Sequence, residues 1–189
     1  LYDLITNLDS ERYETLLATG REGAPNRFQI KGLTTYKLNF LRRKIEPLSD
    51  IRAIWELRKL IKDFKPDVMF LTSSKAGFIG SLATVFPSKL QTKNYKLKTI
   101  YRIGGWSFND PWPVWKKGLW IFLEKLSARW KDIIIVNNKH DLEQAEKLKI
   151  KPKEKVVLIH NGLDVYKTEF LPKEEARKAL PRKLWDEGD

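Results

Sequence analysis

The sequence predicts an α/β protein with a parallel sheet and helices on both faces. Short apolar runs, such as residues 68–71 and 133–136, have the composition of fully buried strands. Amphipathic helical patterns alternate with these runs, most clearly over residues 51–64. Small polar or glycine-rich turns follow the strands. This alternation is typical of repeated βα units, in which the strands run parallel.

The composition indicates a globular protein, and the sequence contains no thiol group. Its 189 residues are 42% hydrophobic and 12% aromatic, which is enough for one full domain with a core. The sequence has no cysteine, which excludes disulfides and thiolate metal sites within it and fits a cytoplasmic setting. The two histidines, His140 and His160, are far apart in the sequence and are read as structural or surface residues. We therefore expect neither a metal site nor another cofactor.

The charge gives the first indication of a partner. Lys and Arg number 36 against 24 Asp and Glu, so the formal net charge is +12. Such a balance favours nucleic acid, an anionic membrane surface or a phosphorylated ligand, and composition alone does not choose among them.

The first part of the chain is predicted as short elements: a helix over 1–8, strands over 13–20 and 28–30, and an unassigned stretch over 31–47. Ser49 or Asp50 begins the next helix. Its predicted buried face comprises Ile51, Ile54, Leu57, Ile61 and Phe64. Its predicted outer face comprises Arg52, Glu56, Arg58, Lys59 and Lys62.

The stretch KPDVMFLTSSKAGFIG, residues 65–80, reads as a strand, a polar turn and the start of a helix. Ser73 and Ser74 would offer hydroxyl and backbone N–H groups beside that helix N-terminus, which suits an anion. A plain turn with serine as the helix cap explains the same residues.

A second strand, over 97–103, leads into the loop GGWSFNDPWP. The paired glycines Gly104 and Gly105 permit close approach of a ligand to the backbone, although they also occur in ordinary turns. Strands over 132–136 and 155–159 and a helix over 139–148 complete the predicted pattern.

The helix predicted over 114–131 is rich in both tryptophan and lysine. Its predicted core-facing stripe comprises Trp115, Leu119, Phe122, Leu126 and Trp130. Trp120 and Ile121 fall off that stripe, near several lysines, and exposed tryptophan beside lysine is typical of an interfacial helix. We therefore expect this helix to bind an anionic membrane weakly. The residues expected to contact the membrane are Trp112, Lys116, Lys117 and Trp120.

Three segments in order carry a resemblance to one family. They are the helix, strand and loop within 41–80, the segment YRIGGWSFNDPWPVWKK, and the segment KVVLIHNGLDV. Together they cover about residues 13–165 and are similar to the N-terminal domain of group 1 glycosyltransferases, the retaining, GT-B type. The sequence departs from the family pattern at several positions, where family histidines are replaced by Phe70, Thr72 and Gly104 and a proline by His160.

The resemblance implies that the predicted parallel sheet is Rossmann-like and forms the N-terminal half of a GT-B fold. Residues 1–165 would form the acceptor-side domain without its first strand, and 166–189 a linker and the start of a donor-binding domain. Asn161, Gly162 and Asp164 would shape that linker. The implied substrate-binding residues follow two strands expected to be parallel, so that both loops emerge on one edge: Ser73, Ser74, Lys75, Gly104, Gly105 and Trp106.

The resemblance also implies an activity. This is transfer of a sugar from a sugar nucleotide to a glycan or lipid-linked acceptor, with retention and without a metal, in bacterial cell-envelope polysaccharide synthesis at the inner face of the plasma membrane. These residues alone would be inactive. Two alternatives stay open, a non-catalytic basic module that binds nucleic acid and half of a sugar-nucleotide epimerase. We expect no nucleic-acid partner, because the sequence has neither a glycine-rich RNA-binding signature nor a recognition helix.

Overall fold

The computed structural model describes residues 2–23, 33–85, 96–162 and 170–179. The chain forms two compact units, Leu1–Ile159 and His160–Asp189. The strand predicted over 28–30 and the linker residue Asp164 lie outside the described residues. The domain boundary expected after residue 165 stays a prediction.

Strands and helices alternate through most of the first unit. Its strands are β1 (Leu16–Thr19), β2 (Thr34–Lys37), β3 (Val68–Thr72), β4 (Lys98–Arg102), β5 (Ile133–Val136) and β6 (Lys155–Leu158). Its α-helices are α1 (Tyr2–Thr6), α2 (Pro47–Phe64), α3 (Ser74–Val85), α4 (Val114–Ala128) and α5 (Lys139–Lys147). The second unit contains α6 (Lys173–Ala179).

The main sheet is parallel, in the order β3-β4-β5-β6, and β1 and β2 pair in parallel as a separate sheet. Thr72 at the end of β3 lies beside Arg102 at the end of β4. The α/β class with parallel strands is therefore confirmed. Parallel pairing also brings the loops that follow β3 and β4 to one edge of the sheet.

The core of the first unit lies between the sheet and its helices. Its buried residues include Leu71, Tyr101, Ile103, Trp106, Phe108, Ile134 and Val136. Gly77 of α3 lies directly over the ring of Tyr101, because a Cβ at this position would be 2.4 Å from the ring atom Cε2. The absence of a side chain at Gly77 therefore lets α3 pack closely against the sheet.

Two side chains of helix α2 differ in burial from the prediction. Ile51, predicted to be buried, is 52% exposed, whereas Arg58, predicted to face solvent, is only 8% exposed. The Arg58 guanidinium donates a hydrogen bond to the Ala83 carbonyl over 3.3 Å, and it lies 5.5 Å from the ring of Trp55. Arginine can be buried here because its aliphatic stem packs while its charged end finds an acceptor.

The orientation of α4 differs from the predicted one, although Leu126 and Trp130 of the predicted core-facing stripe are half-buried. Trp115, Leu119 and Phe122, assigned to the core-facing stripe, are 68%, 47% and 60% exposed. Trp120 and Ile121, assigned to the outside, pack against the core. The side of the helix that faces the interior carries these two residues and Ala128 together with a polar cluster.

That polar cluster comprises Glu124, Ser127 and Lys131, all buried. The Lys131 ammonium lies 3.7 Å from a Glu124 carboxylate oxygen, 2.9 Å from the Ser127 hydroxyl and 4.0 Å from the centre of the Tyr101 ring. Burial lowers the pKa of Lys131 to about 8 against the opposing effect of Glu124, and burial raises the pKa of Glu124. Such a pair is retained because each charge compensates the other.

We expect Gly77→Ala to destabilise the protein. The added methyl group meets the buried Tyr101 ring, and overpacking of this kind costs about 1–3 kcal/mol. Gly118→Ala in α4 is the matched control, because nothing lies within 4 Å of a Cβ there. That variant should be more stable by about 0.5–1 kcal/mol, the helix preference of alanine over glycine. Urea unfolding measures the free energy of unfolding of both variants. An equal change in the two variants would contradict the close approach of α3 to Tyr101 at Gly77.

We expect Lys131→Met to destabilise the protein by about 3–5 kcal/mol near neutral pH, because Glu124 is left buried without its counter-charge. The loss should be smaller near pH 5. Without Lys131 the pKa of Glu124 rises further, so the folded variant loses stability as the pH rises above the ordinary glutamate value.

At alkaline pH, the stability of the wild-type protein should increase with pH, whereas the stability of the Lys131→Met variant should not. Between pH 8 and 10.5 the unfolded chain keeps a proton on Lys131 that the folded chain has released, so the free energy of unfolding rises with pH there. The stability difference between wild type and Lys131→Met should thus grow from about pH 5 to about pH 9. Urea unfolding across this range tests it, with the exposed Lys125→Met as control. A difference independent of pH would contradict the buried ion pair.

Candidate functional site

The turn between β3 and α3 has an unusual backbone. Ser73 has a φ of 79°, a left-handed conformation that costs a residue other than glycine about 1–2 kcal/mol. The Ser73 carbonyl accepts the Gly77 N–H over 2.8 Å, and its hydroxyl accepts the Ala76 N–H over 3.4 Å. Ser73 therefore caps the start of α3, as the structural alternative predicted. Strained backbone of this kind often marks a functional turn.

The next two residues of the turn hold it to its neighbours. Ser74 is half-buried and forms a hydrogen bond with the Tyr101 hydroxyl. The Lys75 ammonium lies 2.6 Å from a carboxylate oxygen of Asp50, and it also donates to the Lys44 carbonyl. The charge of Lys75 is thus balanced by Asp50, and this lysine fixes the start of α3 against the start of α2.

The loop that follows β4 leaves its backbone open. Gly104 and Gly105 are exposed, and nothing lies within 4 Å of a Cβ built on either residue. Gly105 has a φ of 156°, which residues with a side chain rarely adopt. A ligand can therefore approach this stretch of backbone closely.

Trp106, predicted to bind substrate, is only 1% exposed. Its ring stacks on Phe108 with the ring centres 5.5 Å apart, and its indole N–H donates to the Asp141 carbonyl over 2.9 Å. This tryptophan anchors the loop in the core, and we leave its side chain out of the proposed site.

The loop that follows β5 joins the same edge of the sheet. The Asn137 side chain donates to the Gly104 carbonyl over 3.4 Å, and Asn138 caps α5 by accepting the Asp141 N–H over 2.7 Å. Arg102, the last residue of β4, is half-buried at this edge. Neither Asn137 nor Arg102 was predicted as a site residue, although each is a polar residue at the carboxyl end of a strand, a position that often contributes to a site.

The residues predicted to contact a membrane divide into two groups. Trp112 is 37% exposed, and Lys116 lies 5.1 Å from its ring centre and 5.4 Å from that of Trp115. Lys117 is exposed. Trp120, in contrast, packs against the core, 6.5 Å from the ring of Trp112. The predicted exposure of Trp120 is therefore wrong, because its face of α4 is the buried one.

The remaining expectations concern the linker, metals and membrane spans. Asn161 and Gly162 are exposed in the second unit. Within the described ranges, no three side chains of His, Asp or Glu come together as a metal site would require. None of the helices in the described part of the chain is long and apolar enough to cross a bilayer.

Comparison with known proteins addresses the identity of this domain. Residues 1–162 match the family of the glycosyl transferase 4-like domain. The chain is also 33% identical over 123 residues to an uncharacterised 41.2 kDa protein in the cps region of Klebsiella pneumoniae. That match covers 65% of this chain and 33% of the relative, so the chain spans about a third of the length of the relative. The parallel sheet and the arrangement of its loops agree with the family match. The chain therefore belongs to the glycosyltransferases with a Rossmann-like domain of the GT-B type.

Proposed function

We propose that this chain is the acceptor-side domain of a retaining glycosyltransferase, which transfers a sugar from a sugar nucleotide to a glycan or lipid-linked acceptor. The observation that carries the proposal is the convergence of the β3 and β4 loops at one sheet edge in a chain of this family. Family membership favours a transferase over a nucleic-acid-binding module or half of an epimerase.

The proposed site comprises Ser73, Ser74, Gly104 and Gly105, with Arg102 and Asn137 added from the structure. Transfer with retention requires stabilisation of a departing diphosphate and of a sugar that gains positive charge. The N-terminus of α3 carries a partial positive charge that favours an anion nearby. The open backbone at Gly104 offers space for an acceptor close to the sheet edge.

Lys75 has a supporting role in this proposal. Because its ammonium is paired with Asp50, it positions the start of α3 rather than adding a net charge to the site. Arg102 lies half-buried at the same edge, and a guanidinium there is suited to contact phosphate or carboxylate groups.

The biological setting is also part of the proposal. A relative in a cps region supports a role in cell-envelope polysaccharide synthesis. A sugar-nucleotide donor supports a cytoplasmic location. The donor site would be supplied by a second domain, through a linker that includes Asn161, Gly162 and Asp164.

The first test is activity of the natural full-length protein. We expect it to release nucleoside diphosphate from one member of a panel of UDP-, GDP- and dTDP-sugars, in the presence of a lipid or glycan extract, and equally with EDTA. Residues 1–189 alone should show no turnover. NMR of the product should show the anomeric configuration of the donor. An inverted product, or loss of turnover with EDTA, would contradict a retaining, metal-independent reaction.

Gly104→Ala tests the site itself. The methyl group meets no protein atom within 4 Å, so the free energy of unfolding should stay within about 0.5 kcal/mol of wild type. If an acceptor packs on this backbone, kcat/KM should fall by about tenfold or more, equivalent to about 1.4 kcal/mol. Gly118→Ala is the control, with equal free space but outside the two loops. If kcat/KM is unchanged in both variants, the loop that follows β4 is not part of the site.

A further inference from the structure

Buried polar side chains connect the two loops of the proposed site through the interior. Ser74, at the start of α3, forms a hydrogen bond with the hydroxyl of Tyr101, a residue that is only 1% exposed. The Lys131 ammonium lies 4.0 Å from the centre of the Tyr101 ring and 3.7 Å from a carboxylate oxygen of Glu124. These contacts lead from the turn after β3 to the inner side of α4.

The other end of this series of contacts lies in the loop after β4. The Ser107 hydroxyl is buried, and the Glu124 carboxylate is the partner that the described part of the chain offers it. Burial raises the pKa of Glu124, and Lys131 and the Ser107 hydroxyl oppose that rise. Ser107 follows the exposed Gly105 by two residues. We call Ser74, Tyr101, Lys131, Glu124 and Ser107 the loop-to-loop network.

The middle of the loop-to-loop network is held from several sides. The Lys131 ammonium donates to the Ser127 hydroxyl over 2.9 Å, and that hydroxyl donates to the Glu124 backbone carbonyl over 3.3 Å. Burial raises the pKa of Tyr101, and the nearby charge of Glu124 raises it further. The Glu124 carboxylate therefore interacts with groups from both loops, with Tyr101 on one side and Ser107 on the other.

Stability alone does not account for charges in this position. Lys131 and Glu124 are 0% and 6% exposed, so both lose most of their hydration on folding. Apolar side chains of similar volume are often as stabilising as a buried ion pair, or more so. A satisfied polar network provides instead one fixed arrangement of the parts that it connects. Here those parts are the turn after β3 and the loop after β4.

Both loops require support from the interior. Ser73 has a φ of 79°, and a left-handed conformation of this kind persists only where the surrounding structure holds it. The adjacent Ser74 supplies a hold through Tyr101. Gly104 and Gly105 have no side chains that could pack against the domain, so the position of their backbone depends on the residues that follow them in the loop.

We propose that Tyr101, Lys131 and Glu124 are positioning residues, which set the separation of the two loops and thereby the geometry of sugar transfer. Because all three are buried, they act through Ser74 and Ser107 and not by contact with a substrate. A displacement of about 1 Å in an active site can lower a rate on the order of 100-fold. The kinetic part of this inference rests on the proposed function, whereas the connection between the loops does not.

The first experiment separates positioning from stability. Glu124→Leu with Lys131→Met replaces the ion pair by apolar side chains of similar volume. Urea unfolding of the 189-residue chain should give a free energy of unfolding equal to that of the wild type or higher, because both charges are removed together. Amide hydrogen exchange, measured by NMR, should nevertheless be faster in both loops by about tenfold.

Two backbone N–H groups report on the loops. That of Gly77 is hydrogen-bonded within the turn after β3, and that of Asn109 is hydrogen-bonded within the loop after β4. The N–H of Ile150, hydrogen-bonded just after α5, is the reference for opening of the whole domain. Each rate is taken relative to this reference, so that a change in global stability does not count as a change in the loops.

Single hydroxyl deletions test the two ends of the loop-to-loop network. Tyr101→Phe keeps the ring but loses the bond to Ser74, and Ser107→Ala loses the contact with Glu124. Each should speed exchange about tenfold in its own loop and about threefold in the other loop, because the effect passes through the buried pair. Thr84→Ala is the control, since its hydroxyl donates to the Ser81 carbonyl over 2.7 Å within α3. This control should leave both loops unchanged.

Kinetics of the natural full-length protein test the effect on the reaction. In Tyr101→Phe, and in Glu124→Leu with Lys131→Met, kcat for release of nucleoside diphosphate should fall about tenfold. KM for the donor should change less than about threefold, because the proposed second domain supplies most donor contacts. Thr84→Ala should match the wild type. A purely structural role would lower the amount of folded enzyme but not kcat per folded molecule.

Three outcomes would overturn the proposal. Unchanged exchange in Glu124→Leu with Lys131→Met would show that the pair only fills the core. An effect of each hydroxyl deletion confined to its own loop would show that the loops are held separately. Faster exchange with unchanged kcat would show that their separation does not matter for the reaction. If the wild-type protein transfers no sugar at all, the proposed function fails, and the exchange rates still decide whether the loops are connected.

Discussion

The position of the Tyr101 ring is the constraint on which the candidate site depends. The ring is buried in the middle of the sheet, Gly77 covers it on the α3 side, and the Lys131 ammonium lies 4.0 Å from its centre. Its hydroxyl reaches Ser74 at the start of α3. One side chain of β4 therefore fixes the turn after β3, and so sets the spacing of the two loops at the sheet edge. Burial raises the pKa of Tyr101, and the hydrogen bond with Ser74 opposes that rise.

The Glu124 and Lys131 pair lies on the side of α4 that faces the core. An apolar stripe usually sets the rotation of a helix about its axis, but the stripe of α4 points outward. Two opposite charges that lie within reach of each other and of Ser127 can be buried together at modest net cost, whereas either one alone could not. The helix thus buries a satisfied polar cluster and Trp120 on one side, and leaves Trp115 and Phe122 on the other.

The sequence predicted what depends on local pattern. The strands over 68–71 and 133–136 follow from hydrophobic runs, and a serine cap in the turn after β3 follows from turn chemistry. Parallel pairing follows from the alternation of strands and helices. It did not predict what depends on contacts between distant residues. The buried Trp106 contacts the distant Asp141 carbonyl, and the pairing of Lys75 with Asp50 joins α3 to α2. The orientation of α4 also belongs here, because nothing in its periodicity shows that Lys131 meets Tyr101.

The orientation of α4 has a consequence for solubility. Trp115, Leu119 and Phe122 are exposed along one side of this helix, and exposed apolar side chains favour association between copies of a protein. The formal net charge of +12 opposes that association at low ionic strength, because like charges on two copies repel each other. Added salt weakens this repulsion while the apolar side chains stay exposed.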